Sequence, residues 1–285
     1  MTGRPVIEAT PGPPRTAVTR VAVAQVALRV GEPEANRAAA EAAITEAAGA
    51  GARLVVLPEL VNSGYVFTGA EEARSLAEPA DGPTVTGWER LAGDHDLVIV
   101  GGFCELAGGV LRNSQVMVDA TGTRAVYRKA HLWHDERDVF IPGDAPPPVV
   151  DTALGRIGMM VCYDLEFPEW VRSAGLAGAD LLAVSTNWPA SPVPAGERPV
   201  LVAYAQIAAA ANRMFVAVAD RCADERGVSW VRGTSLIGPD GYPLAGPVLT
   251  DGPAVLTADC DLTRARDKAT GPRNDVHRDR RTDLY

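Results

Sequence analysis

Apolar runs and amphipathic segments alternate along the chain. "VAVAQVAL" from Val21 is apolar at nearly every position and predicts a buried strand. The Ala-rich "EPEANRAAAEAAITEAAGAGA" predicts a helix that stops at Gly49 or Gly51. "LVVLPE" predicts a second strand ending at Glu59, "TVTGWERLAGDH" a helix and "LVIVGGF" a third strand. "SQVMVDATGTRAVYRK" reads as a hairpin turning at Thr121-Gly122. "GRIGMMVC" is the next strand, and "FPEWVRSAGLAGA" a helix with Pro168 in its first turn. "DLLAVSTN" then predicts a strand and "RPVLVAYAQIAAAANR" a helix. "FVAVAD", "TSLIGPDGYPLA" and "AVLTADCD" add strands, the middle one turning at Asp240-Gly241. Strand–helix alternation with hairpins mixed in later predicts an α/β layered domain with mixed sheet. No repeat or linker interrupts residues 20–262. The expected organisation is a mobile Pro-rich arm over residues 1–19 and one domain over residues 20–285.

Composition narrows the function. Hydrophobic residues make up 47% and charged residues 22% of the 285, which suits a packed core. The net charge of -9, with no basic block, argues against a nucleic-acid surface and a polybasic membrane contact. The four cysteines lie far apart, so there is no C-x-x-C metal or redox pair, and a reducing cytoplasm is the expected setting. The N-terminal residues lack the apolar core of a signal peptide. "LVAYAQIAAAA" is too short to span a bilayer and is interrupted by Gln206. "GAGARL" from Gly49 lacks the third glycine of a dinucleotide loop and follows a helix, so it reads as a helix stop.

Three predicted strands end on ionisable groups. A carboxylate such as Glu59, directly after "LVVLP", must be paired, hydrated or functional. Lys129 sits where a strand gives way to the aromatic loop "KAHLW", a place that equally suits a solvated charge. Cys162 closes "GMMV" and is either a core residue or a reactive thiol. Its neighbours Asp164, Glu166 and Glu169 disfavour a thiolate, so a reactive Cys162 needs compensation. Sites in layered α/β domains gather outside the carboxyl ends of strands. A thiol nucleophile, Glu59 as general base and Lys129 as a positive charge for a thiolate or oxyanion would form a coherent set. Glu136 follows Lys129 closely enough to return to the same place. Asp164 and Glu169 are expected to cap and complement the helix after Cys162.

The blocks "LVVLPE", "YRKAHLWHDERDVFIPG" and "GRIGMMVCYDLEFPE", in that order, resemble the three signature blocks of the nitrilase superfamily, the carbon–nitrogen hydrolases. The resemblance runs from about Val21 to the C-terminus. It implies a four-layer αββα sandwich with mixed β-sheets, needing neither metal nor organic cofactor. It places nucleophile, base, oxyanion stabiliser and substrate-orienting carboxylate on Cys162, Glu59, Lys129 and Glu136, and a second oxyanion donor on the Tyr163 N–H. True nitrilases of the family usually read Cys-Trp-Glu at the nucleophile; "CYDLEFPE" is similar to the amidase branches. "STNWP" resembles the segment lining the acyl pocket, so Asn187 and Trp188 are expected to face substrate. Tyr65 and Trp133 are further pocket candidates, and Glu166 could attract a cationic amide. "RNDVHRDRRTDLY" resembles a tail that reaches a partner subunit, implying a homodimer or larger homo-oligomer.

The expected activity is hydrolysis of a small primary carboxamide to acid and ammonia through a thioester. A nitrilase or N-carbamoyl amidohydrolase with the same residues is the alternative. Other classes are a Cys–His hydrolase using Cys162 and His131, a metal-binding protein using His131, His134, Asp135 and Glu136, and a non-catalytic binding protein on this fold.

Overall fold

In the computed structural model, residues 18–284 are described, and the first of them already lie in a strand. The strands are β1 (Val18–Ala27), β2 (Leu54–Val56), β3 (Val98–Ala107), β4 (Val110–Asp119), β5 (Gly122–Arg128), β6 (Val149–Asp151), β7 (Arg156–Val161), β8 (Leu181–Ser185), β9 (Phe215–Ala219), β10 (Arg221–Cys222), β11 (Ser235–Ile237), β12 (Pro243–Ala245) and β13 (Ala254–Asp261). The helices are α1 (Pro33–Gly49), α2 (Ala70–Leu76), α3 (Pro83–His95), α4 (Glu136–Val139), α5 (Pro168–Leu176) and α6 (Val200–Asn212).

The first sheet has the order β10-β1-β2-β3-β4-β5, with β13 also paired to β1; the second has the order β12-β11-β9-β8-β7-β6. Both are mixed: β1, β2 and β3 run parallel while β3, β4 and β5 alternate, and β7, β8 and β9 run parallel between antiparallel edges. Alternation along each strand divides the core. In β1, Val21 and Val23 join residues of the second sheet, such as Met159 and Phe215, in one cluster. Ala22 and Ala24 face the other way, with Ile44 of α1 and Trp88 of α3. Val171 of α5 and Ala205 of α6 cover the far side of the second sheet. The layers therefore run helix, sheet, sheet, helix, as expected.

Boundaries moved where pairing outran the apolar pattern. β1 starts at Val18 because β13 runs beside it, pairing Val18 with Asp261 and Thr19 with Cys260. Two residues assigned to the arm thus belong to the strand, and residues 1–17 lie outside the described residues. β3 continues past Phe103 to Ala107 and forms a hairpin with β4 at Gly108-Gly109, both at positive φ (57° and 84°). That pair of left-handed residues is what a tight twisted hairpin requires. A small hairpin, β14 (Ala269–Gly271) and β15 (Asn274–Asp275), begins the tail. Beside it, Lys268 donates to the Asn212 and Arg213 carbonyls at the end of α6. Among the described residues no helix is long and apolar enough to cross a membrane.

Hydrogen bonds join the two sheets. Gln115 of β4 donates to Ser185 Oγ of β8 at 2.8 Å, and Ser185 donates to the Leu57 carbonyl at 2.8 Å. The chain returns from the second sheet to the first at Asp220, between the end of β9 and the start of β10. This buried carboxylate accepts from the backbone N–H groups of Trp188, Arg221 and Gly233 at 3.1, 2.9 and 2.9 Å.

Candidate active site

Glu59 lies just past β2, Lys129 directly after β5 and Cys162 directly after β7, and all three are buried. Glu59 is held by its backbone. Gly102 of β3 lies under the Pro58–Leu60 turn, donating to the Pro58 carbonyl and accepting from Val61 N–H, each at 2.9 Å. A Cβ at Gly102 would stand 2.5 Å from Glu59 Cα, so only glycine fits. Asn187, after β8, donates its side-chain amide to the Glu59 carbonyl at 2.9 Å.

Lys129 Nζ donates to Glu59 Oε1 at 2.8 Å and to Glu136 Oε1 at 2.7 Å. Asn113 of β4 donates to the same Glu59 oxygen at 2.7 Å. Glu136 also accepts from Tyr65 OH at 2.8 Å on Oε1 and from Trp133 N–H at 2.9 Å on Oε2. Glu136 is therefore fully occupied, while Glu59 Oε2 accepts no hydrogen bond among the described residues. One buried cation facing two carboxylates leaves the cluster short of positive charge, which favours retention of a proton. Burial pushes the Glu59 carboxyl up to about 7, against the pull of Lys129. Burial opposes the Lys129 charge, but Glu136 and Glu59 outweigh it and hold the ammonium well above its usual range. Burial and then the Glu59 charge push the Cys162 thiol well above the usual range, with Lys129 opposing. The resting thiol is thus neutral: Lys129, shared between the two carboxylates, lowers it by less than burial and Glu59 raise it.

Cys162 opens a 3₁₀ turn, Cys162–Glu166, at φ 47°, a strained conformation for a residue with a Cβ. The chain bends sharply there, and a cavity of about 190 Å³ opens at Cys162. Tyr65, Trp133, Tyr163, Glu166 and Trp188 line it. Asn187 does not line it; its side chain reaches back to Glu59, while its backbone N–H bonds the Cys162 thiol.

The carbon–nitrogen hydrolase family model matches residues 20–270. The chain belongs to this family. A nitrilase from Pyrococcus abyssi is 35% identical over 273 residues, covering 94% of this chain and 99% of that protein. An (R)-stereoselective amidase from Pseudomonas sp. is 33% identical, covering 79% of each chain. Among solved structures, a cysteine-to-alanine variant of a nitrilase-superfamily amidase from Nesterenkonia sp. AN1 superposes with a TM-score of 0.74 at 27% identity, covering 93% of this chain and 95% of that one. Another variant of that amidase carries the acetamide moiety of fluoroacetamide, covalently added at its active-site cysteine.

Within this carbon–nitrogen hydrolase, two expectations for neighbouring residues change. Asp164 does not cap α5, which begins at Pro168, but the 3₁₀ turn at Cys162, accepting from Val161 N–H at 3.3 Å; its buried carboxylate also accepts from Tyr127 OH at 2.8 Å and His131 N–H at 3.0 Å. It turns inward because those donors are buried, whereas Glu169 does sit in the first turn of α5. His131 pairs with Asp164 at 2.7 Å and stacks on Phe167, an arrangement that removes its ring from a Cys–His pair. His134 pairs with exposed Asp135, Glu136 is committed to Lys129, and no metal-binding group of side chains occurs among the described residues.

Little in the sequence pointed to the supports behind the site. Asn113 sits in the strand between apolar positions, and only the polar stretch "RNSQ" hinted at buried hydrogen bonding. Glu225, also buried, accepts from the backbone N–H groups of Val30, Tyr65 and Val66 at 2.6–2.8 Å and pairs with Arg221 at 3.0 Å. The Arg221 guanidinium lies 4.4 Å from the Trp230 ring, whose partner is Tyr65, edge-on at 5.7 Å. An acid in "DERGV" gives no sign that it grips a loop some 160 residues away.

Proposed function

We propose that this carbon–nitrogen hydrolase is a thiol amidase that converts a small primary carboxamide to acid and ammonia. The observation that carries the reading is the pair of Glu59 oxygens: Oε1 is fixed by Lys129 and Asn113, and Oε2 is left free in a buried site with a neutral thiol.

Glu59 takes the Cys162 proton as Sγ attacks the amide carbon. A thiol held above its usual range needs this partner, because little thiolate exists at rest. Lys129 Nζ and the Tyr163 N–H stabilise the tetrahedral oxyanion. The proton on Glu59 passes to the leaving nitrogen, the C–N bond breaks, and ammonia departs from a Cys162 thioester. Water then gives a proton to Glu59 and attacks the thioester carbon. The acid leaves as Cys162 regains its proton. Glu136 anchors Lys129, Tyr65 and the Trp133 loop around the substrate. Val200, Tyr204 and Ile207 leave an apolar stripe exposed along α6, which supports a homodimer or larger assembly.

Ammonia release from a panel of primary amides, nitriles and N-carbamoyl compounds tests the reading. Amides should be turned over by the native protein, and Cys162→Ala should abolish that release with the melting temperature retained. Residual turnover in the variant removes Cys162 from the mechanism. Release from nitriles or carbamoyl compounds alone moves the enzyme to a neighbouring branch.

A further inference from the structure

The cavity at Cys162 has an unassigned neighbour. A second cavity, of about 260 Å³, shares Tyr65, Trp133 and Pro189 with the first, so the two are adjacent. Its other walls include Val66, Phe67, Val139, Phe140 and Val228. Phe67 and Phe140 meet edge-on at 6.0 Å, within an apolar cluster that gives this lobe a packed wall.

The polar groups around it are already satisfied. Both Glu136 oxygens accept from Lys129, Tyr65 or Trp133, and the Tyr65 hydroxyl is committed to Glu136. His134 and Asp135 pair with each other at 2.7 Å on the exposed rim. Among the described residues, Glu136 is the one buried charge in the wall of this lobe, and it is held by Lys129. Glu166, by contrast, lines the cavity at Cys162 and not this one. A cationic group placed in the second lobe would lose its water and would have to compete with Lys129 for Glu136. A dry apolar cavity of roughly 150 Å³ suffices to bind benzene, so this one accommodates an aromatic ring with a short linker.

We propose that this second lobe is the side-chain subsite of the enzyme, taking a neutral aryl or alkyl group of the amide while the carboxamide reaches Cys162. The assignment rests on the amidase reading for the identity of the reacting group, and its binding test is independent of turnover.

The test is calorimetry on Cys162→Ala protein with acetamide, butyramide, hexanamide, 3-phenylpropanamide and the cationic 6-aminohexanamide. Cys162→Ser serves if the alanine protein fails to fold. Each buried methylene should tighten binding roughly fourfold. The phenyl amide should bind at least as tightly as hexanamide, and 6-aminohexanamide more weakly. Filling the lobe with Val228→Phe, or with Val139→Phe if the first variant melts early, should lower the hexanamide-to-acetamide affinity ratio at least tenfold. Affinity that is flat from acetamide upwards overturns the subsite, as does equal binding of the cationic amide or an unchanged ratio in the folded filling variant. Turnover of the same amides by native protein separates the two ideas. A flat series with amides hydrolysed removes the subsite alone, and a rising series with no amide hydrolysed removes the amidase reading alone.

Discussion

Activity and stability should respond to pH in opposite directions, through the same residue. In the proposed mechanism Glu59 must be ionised to accept the Cys162 proton, and burial sets its carboxyl at about 7. With that value, roughly one-tenth of the protein has the base ionised at pH 6 and roughly one-hundredth at pH 5. The kcat/KM for a neutral amide should therefore fall about tenfold per pH unit below 7 and level off above it. Stability carries the reverse sign. Folding raises this carboxyl above its ordinary value of 4.5, so between the two values the folded state keeps a proton that the unfolded chain has lost. That stabilisation is complete below about 4.5 and gone above about 7. The gap corresponds to on the order of 2–3 kcal/mol between pH 5 and pH 8. Asp220, also raised by burial, to about 6, acts in the same direction, so Glu59 must be isolated by difference. Urea unfolding of native and Glu59→Gln proteins at both pH values isolates it: the native protein should lose more stability on going to pH 8 by that amount. A flat rate profile, or equal pH dependence of stability in the two proteins, would refute the reasoning.

Lys129→Ala should cut kcat by about 100- to 1000-fold, as loss of an oxyanion donor does. It should also cost about 3–5 kcal/mol in urea unfolding, because two buried carboxylates lose their shared cation. Gly102→Ala should lower both the melting temperature and kcat, since its methyl displaces the backbone that carries Glu59; a variant with native rates would show that the turn gives way harmlessly. Glu225→Gln should destabilise the fold by about 3–5 kcal/mol by stranding Arg221, and should raise KM more than it lowers kcat by loosening Tyr65. An unchanged KM would show that Tyr65 is positioned without it.

What was legible in the sequence followed from local pattern. Central strands such as β7 and β8 are buried on both faces, so they appear as unbroken apolar runs. Glu59 and Cys162 stood out for the same reason, because each closes such a run, whereas Lys129 follows the half-exposed β5 and stood out only by its place before an aromatic loop. β1 and β3 were read too short because their outer residues are ordered by β13 and β4, partners distant in sequence or beyond a glycine turn. The direction of a polar side chain was the hardest feature. Asp164 looked like a cap of α5 and caps the 3₁₀ turn at Cys162 instead, while also accepting from Tyr127; Asn187 looked like a pocket residue and turned inward to the Glu59 carbonyl. The charge balance of the cluster was likewise invisible until Asn113 and Glu136 joined Lys129 around one point.

Asp220 gives the molecule a mechanical property. Its carboxylate grips the Trp188 segment, the first residue of β10 and the Gly233 segment within one side chain's reach. It works as a rivet through the place where the two sheets meet. Because Glu59 and Lys129 belong to one sheet and Cys162 and Trp188 to the other, sliding of the sheets would open the reaction centre like a sheared joint. A fastener at the crossing ties the alignment of Glu59 and Cys162 to the integrity of the whole sandwich. The tolerance of the chemistry is thus set by the stiffness of the frame.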